Sequence, residues 1–106
     1  MLERDYQRRL IKRIRERLPG CVVLKNDPDF LQGIPDLVVL LGDQWAMLEV
    51  KASGASAVRP NQAFWVEQFG EMSYAAFIYP EIEEEVLNEL QQSFQLRGNA
   101  RVPKRK

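Results

Sequence analysis

Two acidic residues and a lysine stand in an otherwise apolar part of the sequence, and their spacing brings them together in a simple hairpin. Glu49 follows Asp36 by thirteen residues. The residues between them predict two apolar strands joined by a turn at Gly42-Asp43-Gln44, and folding this hairpin sets Asp36 beside Glu49. Glu49 and Lys51 are two residues apart on one strand and therefore project from the same face. We expect two carboxylates and one ammonium group to converge among apolar side chains.

Such a cluster is suited to binding a hard divalent cation and to activating a water beside it. Asp36 and Glu49 would supply ligands to Mg²⁺ or Mn²⁺, and the backbone carbonyl of Val50 is placed to supply another. Lys51 would stabilise a developing hydroxide or the charge of the transition state. The sequence contains no histidine, which excludes Ser-His and Cys-His catalysis and histidine general bases. The pattern predicts a metal-dependent phosphodiesterase, in particular a nuclease.

Each motif is weak on its own, since Pro-Asp is common in turns and Glu-x-Lys occurs by chance in many strands. Their combination is stronger, because a strand pair normally places its charges at turns and on its solvent face. Residues 38–41 predict a strand buried on both faces, and an unpaired acid at Glu49 would cost several kcal/mol. A structural ion pair of Glu49 with Lys51 or Arg59 is the alternative interpretation.

The chain has 106 residues, a length that predicts one domain with a modest core. Its hydrophobic and charged contents are those of an ordinary soluble protein. Cys21 is the only cysteine, so no internal disulfide is expected, and without histidine no zinc site is expected. No apolar run has the length of a membrane span or the form of a signal peptide. These features predict a cytoplasmic protein in a reducing environment.

The net charge is zero, which by itself argues weakly against nucleic-acid binding, but the charges are segregated. Basic residues concentrate in residues 1–17 and 97–106, and much of the balancing acid lies in residues 81–89. Segregated charge can make a basic face on a neutral molecule; a solvated helix with a frayed tail is the alternative. The candidate DNA-binding residues are Gln7, Arg4, Arg8, Lys12, Arg59, Arg101, Lys104, Arg105 and Lys106.

The pattern along the chain predicts the element order α-β-β-β-α-β-α. A first helix should run from about Leu2 to Leu18 and end at Pro19-Gly20. Its apolar stripe consists of Leu10, Ile11, Ile14 and Leu18. Extended toward the N-terminus, the stripe meets Gln7 and Glu3, so this end of the helix is expected to border a site. The alternative is that Glu3 is simply a favourable carboxylate near a helix N-terminus.

The remaining elements follow from apolar runs and from Gly and Pro positions. Pro60 suits the first turn of a second helix, which Gly70 closes, and its core face would be Phe64, Trp65 and Phe69. Besides the hairpin, we expect a short buried strand at 21–24, a polar loop at 25–33, a mobile loop at 52–57, a strand at 74–79 and a helix at 81–96. The inward residues of that last helix would be Ile82, Val86, Leu87, Leu90 and Phe94. Residues 1–96 would form a single domain, and residues 97–106 a basic, disordered tail.

At these residues the chain resembles the PD-(D/E)XK nuclease superfamily, and it is most similar to the virus-type replication-repair nuclease (VRR-NUC) family. The matching features are Glu3 and Gln7, Gly33-Ile34-Pro35-Asp36-Leu37, Leu48-Glu49-Val50-Lys51, and Gln62 early in the second helix. The resemblance covers about residues 3–79. It implies a restriction-endonuclease-like αβββαβ core, with a central mixed four-stranded sheet flanked by helices, to which a C-terminal helix is added.

The resemblance also implies roles for these residues. Asp36 and Glu49 would be metal ligands, Lys51 would be catalytic, Glu3 would assist the metal site, and Gln62 would orient the attacking water or the scissile phosphate. The family often places a Ser a few residues before this Gln, whereas here Val58-Arg59-Pro60-Asn61 precedes it.

The function implied is a Mg²⁺- or Mn²⁺-dependent, structure-selective endodeoxyribonuclease acting on duplex or branched DNA. For free-standing family members the resemblance implies Holliday-junction resolution in phage or bacterial DNA replication or repair, in the bacterial cytoplasm or a phage-infected cell. Two other functions stay open: a catalytically inactive nucleic-acid-binding module, and a small interaction protein whose Glu-rich helix docks a partner. All the acid and lysine positions are intact, which favours the nuclease.

A homodimer is also predicted, because one catalytic centre cuts one strand whereas a branched junction needs two symmetric cuts. The sequence adds an apolar surplus that would leave some aromatic residues in an exposed patch. These residues are Trp45, Phe64, Trp65, Phe69, Tyr74, Phe77, Tyr79 and Phe94. A compact monomer that buries all eight is the alternative.

Overall fold

The computed structural model describes residues 1–98, and its elements follow the predicted order. The elements are α1 (Glu3–Arg17), β1 (Val22–Lys25), β2 (Leu37–Leu41), β3 (Gln44–Val50), α2 (Pro60–Met72), β4 (Tyr74–Ile78) and α3 (Glu83–Gly98), with a short 3₁₀ helix (Pro80–Ile82) before α3. The predicted α/β class is therefore confirmed. The predicted tail lies outside the described residues from position 99 onward, and with it Arg101, Lys104, Arg105 and Lys106.

The strands form one mixed sheet in the order β1-β2-β3-β4. β1, β2 and β3 are antiparallel neighbours, whereas β4 runs parallel to β3 and is reached through α2. Leu41 pairs with Gln44, so the hairpin turn consists of Gly42 and Asp43. Gly42 has a φ of 64°, which favours glycine in a two-residue turn. Leu37 pairs with Leu48, and this register places the two residues just beyond that pair, Asp36 and Glu49, side by side.

The core lies between one face of the sheet and the helices α1 and α3. Its buried residues are Tyr6, Leu10, Ile14, Leu18, Leu37, Val39, Ala46, Leu48, Val50, Ile78, Val86, Leu87, Leu90 and Phe94. The predicted inward faces of α1 and α3 are thus confirmed, except that Ile11 and Ile82 are only partly buried. Tyr6, which the predicted stripe omitted, is almost fully buried.

Two predictions of buried strands are wrong. β1 is an edge strand whose Val22 and Leu24 are 51% and 48% exposed. β2 is buried on one face only, since Val38 and Leu40 are partly exposed. The reason lies in the layer that covers the second face: α2 packs on β3 and β4. Helix coverage therefore stops short of the other half of the sheet.

The predicted core face of α2 is wrong at Phe64 for the same reason, whereas Phe69 packs against Trp45 of β3, with ring centroids 6.2 Å apart. None of its residues is fully buried, and Phe64 is 50% exposed. Trp65 and Phe69 are partly buried and stack with ring centroids 5.5 Å apart. Gly70 does not close this helix, which continues to Met72. α2 lies on the surface of the sheet and presents apolar side chains to solvent.

Ion pairs tie the second half of α1 to α3. Arg13 Nη1 lies 2.9 Å from Glu83 Oε1, and the hydroxyl of Tyr6 donates a hydrogen bond to the same carboxylate at 2.9 Å. Arg17 Nη1 lies 3.2 Å from Glu84 Oε1. Acidic residues of α3 therefore pair with arginines of α1 within the same chain. Within residues 1–98, no helix combines the length and the apolar composition needed to cross a membrane.

Candidate metal-binding and catalytic site

The β2–β3 hairpin places Asp36 against the end of β3. The backbone N–H of Val50 donates a hydrogen bond to Asp36 Oδ2 at 2.8 Å, so the carboxylate is fixed at the strand that carries Glu49. On the other side, the N–H of Asn26 donates to the carbonyl of Asp36 at 2.9 Å. The side-chain amide of Asn26 donates to the carbonyl of Pro35 at 2.8 Å. The Pro-Asp segment is therefore held from both neighbouring strands.

Glu49 and Lys51 are buried, with exposed fractions of 3% and 8%. Burial, followed by the nearby charge of Asp36, raises the pKa of Glu49 to about 7, although Lys51 acts in the opposite direction. Burial also raises the pKa of Asp36. Glu49 Oε1 is inaccessible to solvent and accepts no hydrogen bond from the described residues. A buried oxygen without a donor is costly, and a bound cation would compensate it.

Gln62 connects the two charges at the end of β3. Lys51 Nζ donates to Gln62 Oε1 at 2.8 Å, and the amide Nε2 of Gln62 donates to Glu49 Oε2 at 3.0 Å. Lys51 Nζ also lies 3.7 Å from Glu49 Oε2, so the ion pair of the alternative interpretation is present. That pair leaves the other oxygen of Glu49 unsatisfied and does not account for the whole arrangement.

The start of α2 determines where Gln62 points. Arg59 is the N-cap and Pro60 follows it in the first turn, where its fixed φ suits a helix start. Gln62 is the third helical residue, and its Oε1 accepts the backbone N–H of Arg59 at 3.0 Å. Only this half of a capping box is present, because the Arg59 side chain has no acceptor, and the N–H of Gln62 donates to the backbone carbonyl of Arg59 at 3.0 Å instead. The same oxygen therefore caps the helix and receives the ammonium group of Lys51.

Glu3 lies within electrostatic range of the site but outside a shared cluster. Its pKa is raised first by partial burial and then by the charge of Asp36, with Lys51 acting in the opposite direction. Among residues 1–98, no group of three or more His, Cys, Asp or Glu side chains is arranged to hold a metal ion. A cation here would have Asp36 and Glu49 as its carboxylate ligands, and backbone oxygen and water would complete the shell.

A cavity of about 210 Å³ opens onto Asp36 and Glu49. One wall comes from the loop between β1 and β2, and the other from the start of α2; its remaining lining residues are Pro28, Asp29, Gln32, Gly33, Ile34, Arg59, Asn61 and Gln62. The sequence predicted this loop only as a polar connection. Its role as a wall of the site was missed, although the glycine immediately before Ile-Pro-Asp is a usable signal.

Gly33 lets the loop approach α2 closely. It has a φ of 87°, and a Cβ added there would lie 2.7 Å from Cγ of Asn61. Only glycine combines that backbone conformation with so small a separation.

A larger cavity, of about 620 Å³, lies between α1 and the start of α3, but neither of the site carboxylates lines it. The larger of these two cavities is therefore not the one that Asp36 and Glu49 line.

The candidate DNA-binding residues within the described part of the chain lie at the surface. Arg4, Arg8, Lys12 and Arg59 are exposed, and Arg59 also lines the cavity. Gln7 is partly buried, two turns before Ile14 on the core-facing side of α1. The predicted basic face of α1 is thus limited to its exposed side, because the residues nearest α3 are paired with acid.

No protein-family model and no curated protein matches the sequence. The chain is similar to solved structures that include the following two. A protein described as a VRR_NUC domain protein aligns over 91% of this chain and 90% of its own, with a TM-score of 0.68 and 18% identity. Another, described as a VRR_NUC domain, aligns over 79% of this chain and 91% of its own, with a TM-score of 0.58 and 25% identity. The predicted resemblance to VRR-NUC domains and the fold that it implied are confirmed.

Proposed function

We propose that this chain, which has the fold of VRR_NUC domains, is a metal-dependent endodeoxyribonuclease that hydrolyses phosphodiester bonds. The observation that carries the proposal is the buried carboxyl group of Glu49. Its Oε1 has no hydrogen-bond partner among the described residues, and the Asp36 carboxylate lies close enough to raise its pKa. A cation would give Glu49 Oε1 a partner and would offset the repulsion between the carboxylates of Glu49 and Asp36. The Lys51 ion pair does neither completely.

Asp36 and Glu49 would hold the cation, with the backbone carbonyl of Val50 as a further ligand and Glu3 assisting through its charge. A donor set made of oxygen alone favours Mg²⁺ or Mn²⁺ over softer metals. When bound, the ion would neutralise charge on the scissile phosphate and make a water nucleophilic at neutral pH.

The other groups act on the phosphate and on one another. Lys51 would place its ammonium group against the developing negative charge of the transition state. Gln62 would hold that ammonium group and the Glu49 carboxylate in fixed positions, as its two hydrogen bonds do here. Arg59, on the opposite wall of the cavity, would contact a phosphate next to the scissile one.

DNA would be bound chiefly through its backbone. Arg4, Arg8 and Lys12 on the exposed side of α1 would neutralise phosphates outside the cavity, and the basic residues of the C-terminal tail would add to them. We further propose a homodimer in which the exposed apolar side chains of α2 face their copies. Two such centres related by a two-fold axis would suit symmetric cleavage of a branched junction, in phage or bacterial DNA replication or repair.

Three acidic residues of α3 already contact other residues of this chain, which disfavours the interaction-protein alternative. Glu83 pairs with Arg13, Glu84 with Arg17, and Glu89 accepts the hydroxyl of Tyr74 at 2.8 Å. A helix whose acids are already used within the chain has less charge to offer a partner. A cleavage assay distinguishes the inactive-module alternative from the nuclease.

The experiment compares the wild type with Asp36→Asn and Glu49→Gln on labelled linear duplex, nicked, flap and four-way-junction DNA. With Mg²⁺ present, we expect cleavage by either variant to fall by roughly 10²–10³-fold or more, while DNA binding is retained. Glu67→Gln, an exposed acid on α2, is the matched control and should cut normally. Undiminished cleavage by either site variant would remove the assignment, and a wild type that binds DNA without cutting it would favour the inactive module.

A further inference from the structure

Phe30 is the most exposed large apolar side chain in the described part of the chain, at 88%. It lies in the loop between β1 and β2, and its neighbours Asp29 and Gln32 line the cavity that contains Asp36 and Glu49. A phenyl ring left in water contributes nothing to the core. Phe30 itself does not line the cavity, but it directly follows a lining residue, Asp29, so its exposed ring is available to the part of a ligand that extends out of the cavity.

Hydrogen bonds fix the backbone of the loop that carries this ring. The backbone N–H groups of Phe30 and Leu31 donate to the carbonyl of Asp27 at 3.2 and 3.4 Å. The N–H of Asp29 donates to Asp27 Oδ1 at 2.9 Å, and the N–H of Ile34 donates to the carbonyl of Leu31 at 3.2 Å. A ring carried on a hydrogen-bonded turn loses less entropy on binding than one carried on a free segment.

The charges around the ring indicate which chemical group it can contact. Asp27 and Asp29 flank it on the loop and would repel phosphate, whereas Arg59 lines the opposite wall of the cavity. The basic wall suits the DNA backbone, and the apolar ring suits the flat face of a base. One isolated ring is also far smaller than a protein–protein interface requires. A nucleobase is therefore the ligand that fits the position.

We propose that Phe30 stacks on an unpaired nucleobase beside the phosphodiester in the cavity, and that this contact gives a preference for DNA with a branch point over fully paired linear DNA. The inference rests on the proposed nuclease function. Stacking on an aromatic side chain is open to every base and carries no sequence preference. In a linear duplex the ring would first have to unstack a base pair, whereas bases at a branch point are more easily displaced.

The test uses the full-length chain with Phe30→Ala, Phe30→Leu and Phe30→Trp. Val22→Ala is the matched control, because Val22 is an apolar residue that is 51% exposed on β1, at the opposite edge of the sheet from β4 and outside the lining of the cavity. Binding is measured by fluorescence anisotropy with Ca²⁺ replacing Mg²⁺, and cleavage with Mg²⁺. Each is measured on a four-way junction and on a linear duplex of the same sequence.

We expect Phe30→Ala and Phe30→Leu to weaken junction binding by roughly five- to hundredfold, the range of one base–aromatic stack, with the linear duplex bound as before. Phe30→Trp should keep the preference, and Val22→Ala should not alter it. Full junction preference in Phe30→Ala, equal losses on both DNAs, or rescue by leucine would overturn the inference and leave the nuclease assignment standing. A wild type that neither binds nor cuts either DNA would overturn both.

Discussion

Gln62 and Glu49 are joined by a 3.0 Å hydrogen bond from the amide Nε2 to the carboxylate Oε2. The other end of the same amide receives Lys51 Nζ at 2.8 Å. Its orientation follows from these partners, since the NH₂ group faces an acceptor and the carbonyl oxygen faces donors. One side chain of α2 thus holds both charges at the end of β3, and the start of this helix becomes part of the site.

Gln62→Ala is expected to slow cleavage more than it weakens DNA binding. Without the amide, the ammonium group of Lys51 and the Glu49 carboxylate lose the group that holds them apart, and small displacements of catalytic groups can cost roughly 10²-fold in rate. Single-turnover rates and binding constants measured side by side would separate the two effects. Gln68→Ala, a partly buried glutamine on the same helix, is the control. A Gln62 variant that cuts at the wild-type rate would show that the amide only caps α2.

The raised pKa of Glu49 gives the metal-free protein a distinctive pH dependence of stability. The folded carboxyl holds its proton up to about pH 7, compared with a reference pKa of 4.5. Between these values the unfolded chain releases protons first, so the free energy of unfolding falls as pH rises. Urea denaturation from pH 4.5 to 8 should show a decrease of up to roughly 3 kcal/mol from this group, and a smaller decrease in Glu49→Gln.

Metal binding should reverse that loss, because a cation favours the ionised carboxylates. At pH 8 and about one hundred times its dissociation constant, Mg²⁺ or Mn²⁺ would add about 2.7 kcal/mol to the wild type and little to Glu49→Gln. Glu67→Gln should behave like the wild type in both respects. If Mn²⁺ stabilises the wild type and Glu49→Gln equally, Glu49 is not a ligand, whatever the DNA assays show.

The local parts of this site could be predicted from the sequence, and the non-local parts could not. Asp36 and Glu49 meet because a two-residue turn fixes the register of one hairpin, and alternation along β3 places Lys51 with them. The approach of Gly33 to Asn61 joins segments far apart in the chain, so no local pattern contains it. Tyr6 is buried against Glu83, which lies 77 residues away. Local periodicity gives no sign of that partner.

The misjudged burial of α2 has a related cause. An apolar stripe predicts that one face of a helix is apolar, but it does not determine what covers that face. Here α2 packs mainly on β3 and β4, and Phe64 and Met72 are left exposed. The same coverage leaves Val22 and Leu24 exposed on the edge strand. Layer assignment depends on how elements are distributed over a sheet, which the hydrophobic pattern of one element does not encode.

Lys51→Met should abolish turnover with little loss of stability. In the proposed mechanism, the buried Lys51 beside Glu49 would stabilise the charge of the transition state, which methionine cannot do, whereas an apolar side chain of similar length would preserve the packing. Replacing a charged partner could destabilise the fold if the ion pair were structural. Melting temperature and cleavage rate measured together decide the matter. A large fall in melting temperature with residual cleavage would favour the ion-pair interpretation.

Arg8 and Lys12, on the exposed side of α1, should affect the salt dependence of DNA binding differently from Arg17, which is paired with α3. Arg8 has only a 3.7 Å surface contact with Asp5 on its own helix, which a phosphate can replace. Each phosphate neutralised contributes about −0.9 to the slope of log affinity against log salt. Arg8→Ala combined with Lys12→Ala should therefore flatten the slope. Arg17→Ala, in which the lost side chain pairs with Glu84, should leave the slope unchanged. Deletion of residues 97–106 tests the tail in the same way. An unchanged slope in the double variant would mean that α1 does not contact DNA.

The exposed side of α2 should bring two copies of the chain together. Phe64 is 50% exposed, and its ring lies beside that of Trp65 with centroids 4.9 Å apart. Met72, 64% exposed, follows eight residues later on the same helix, and we expect these apolar side chains to be covered by a symmetric partner. At micromolar concentration and without DNA, sedimentation equilibrium should give twice the chain mass for the wild type and a single-chain mass for Phe64→Glu. Val22→Glu, which changes a residue 51% exposed on β1, is the matched control and should remain dimeric. A wild-type mass near 12.3 kDa would contradict the dimer and, with it, the proposal of paired cuts at a junction.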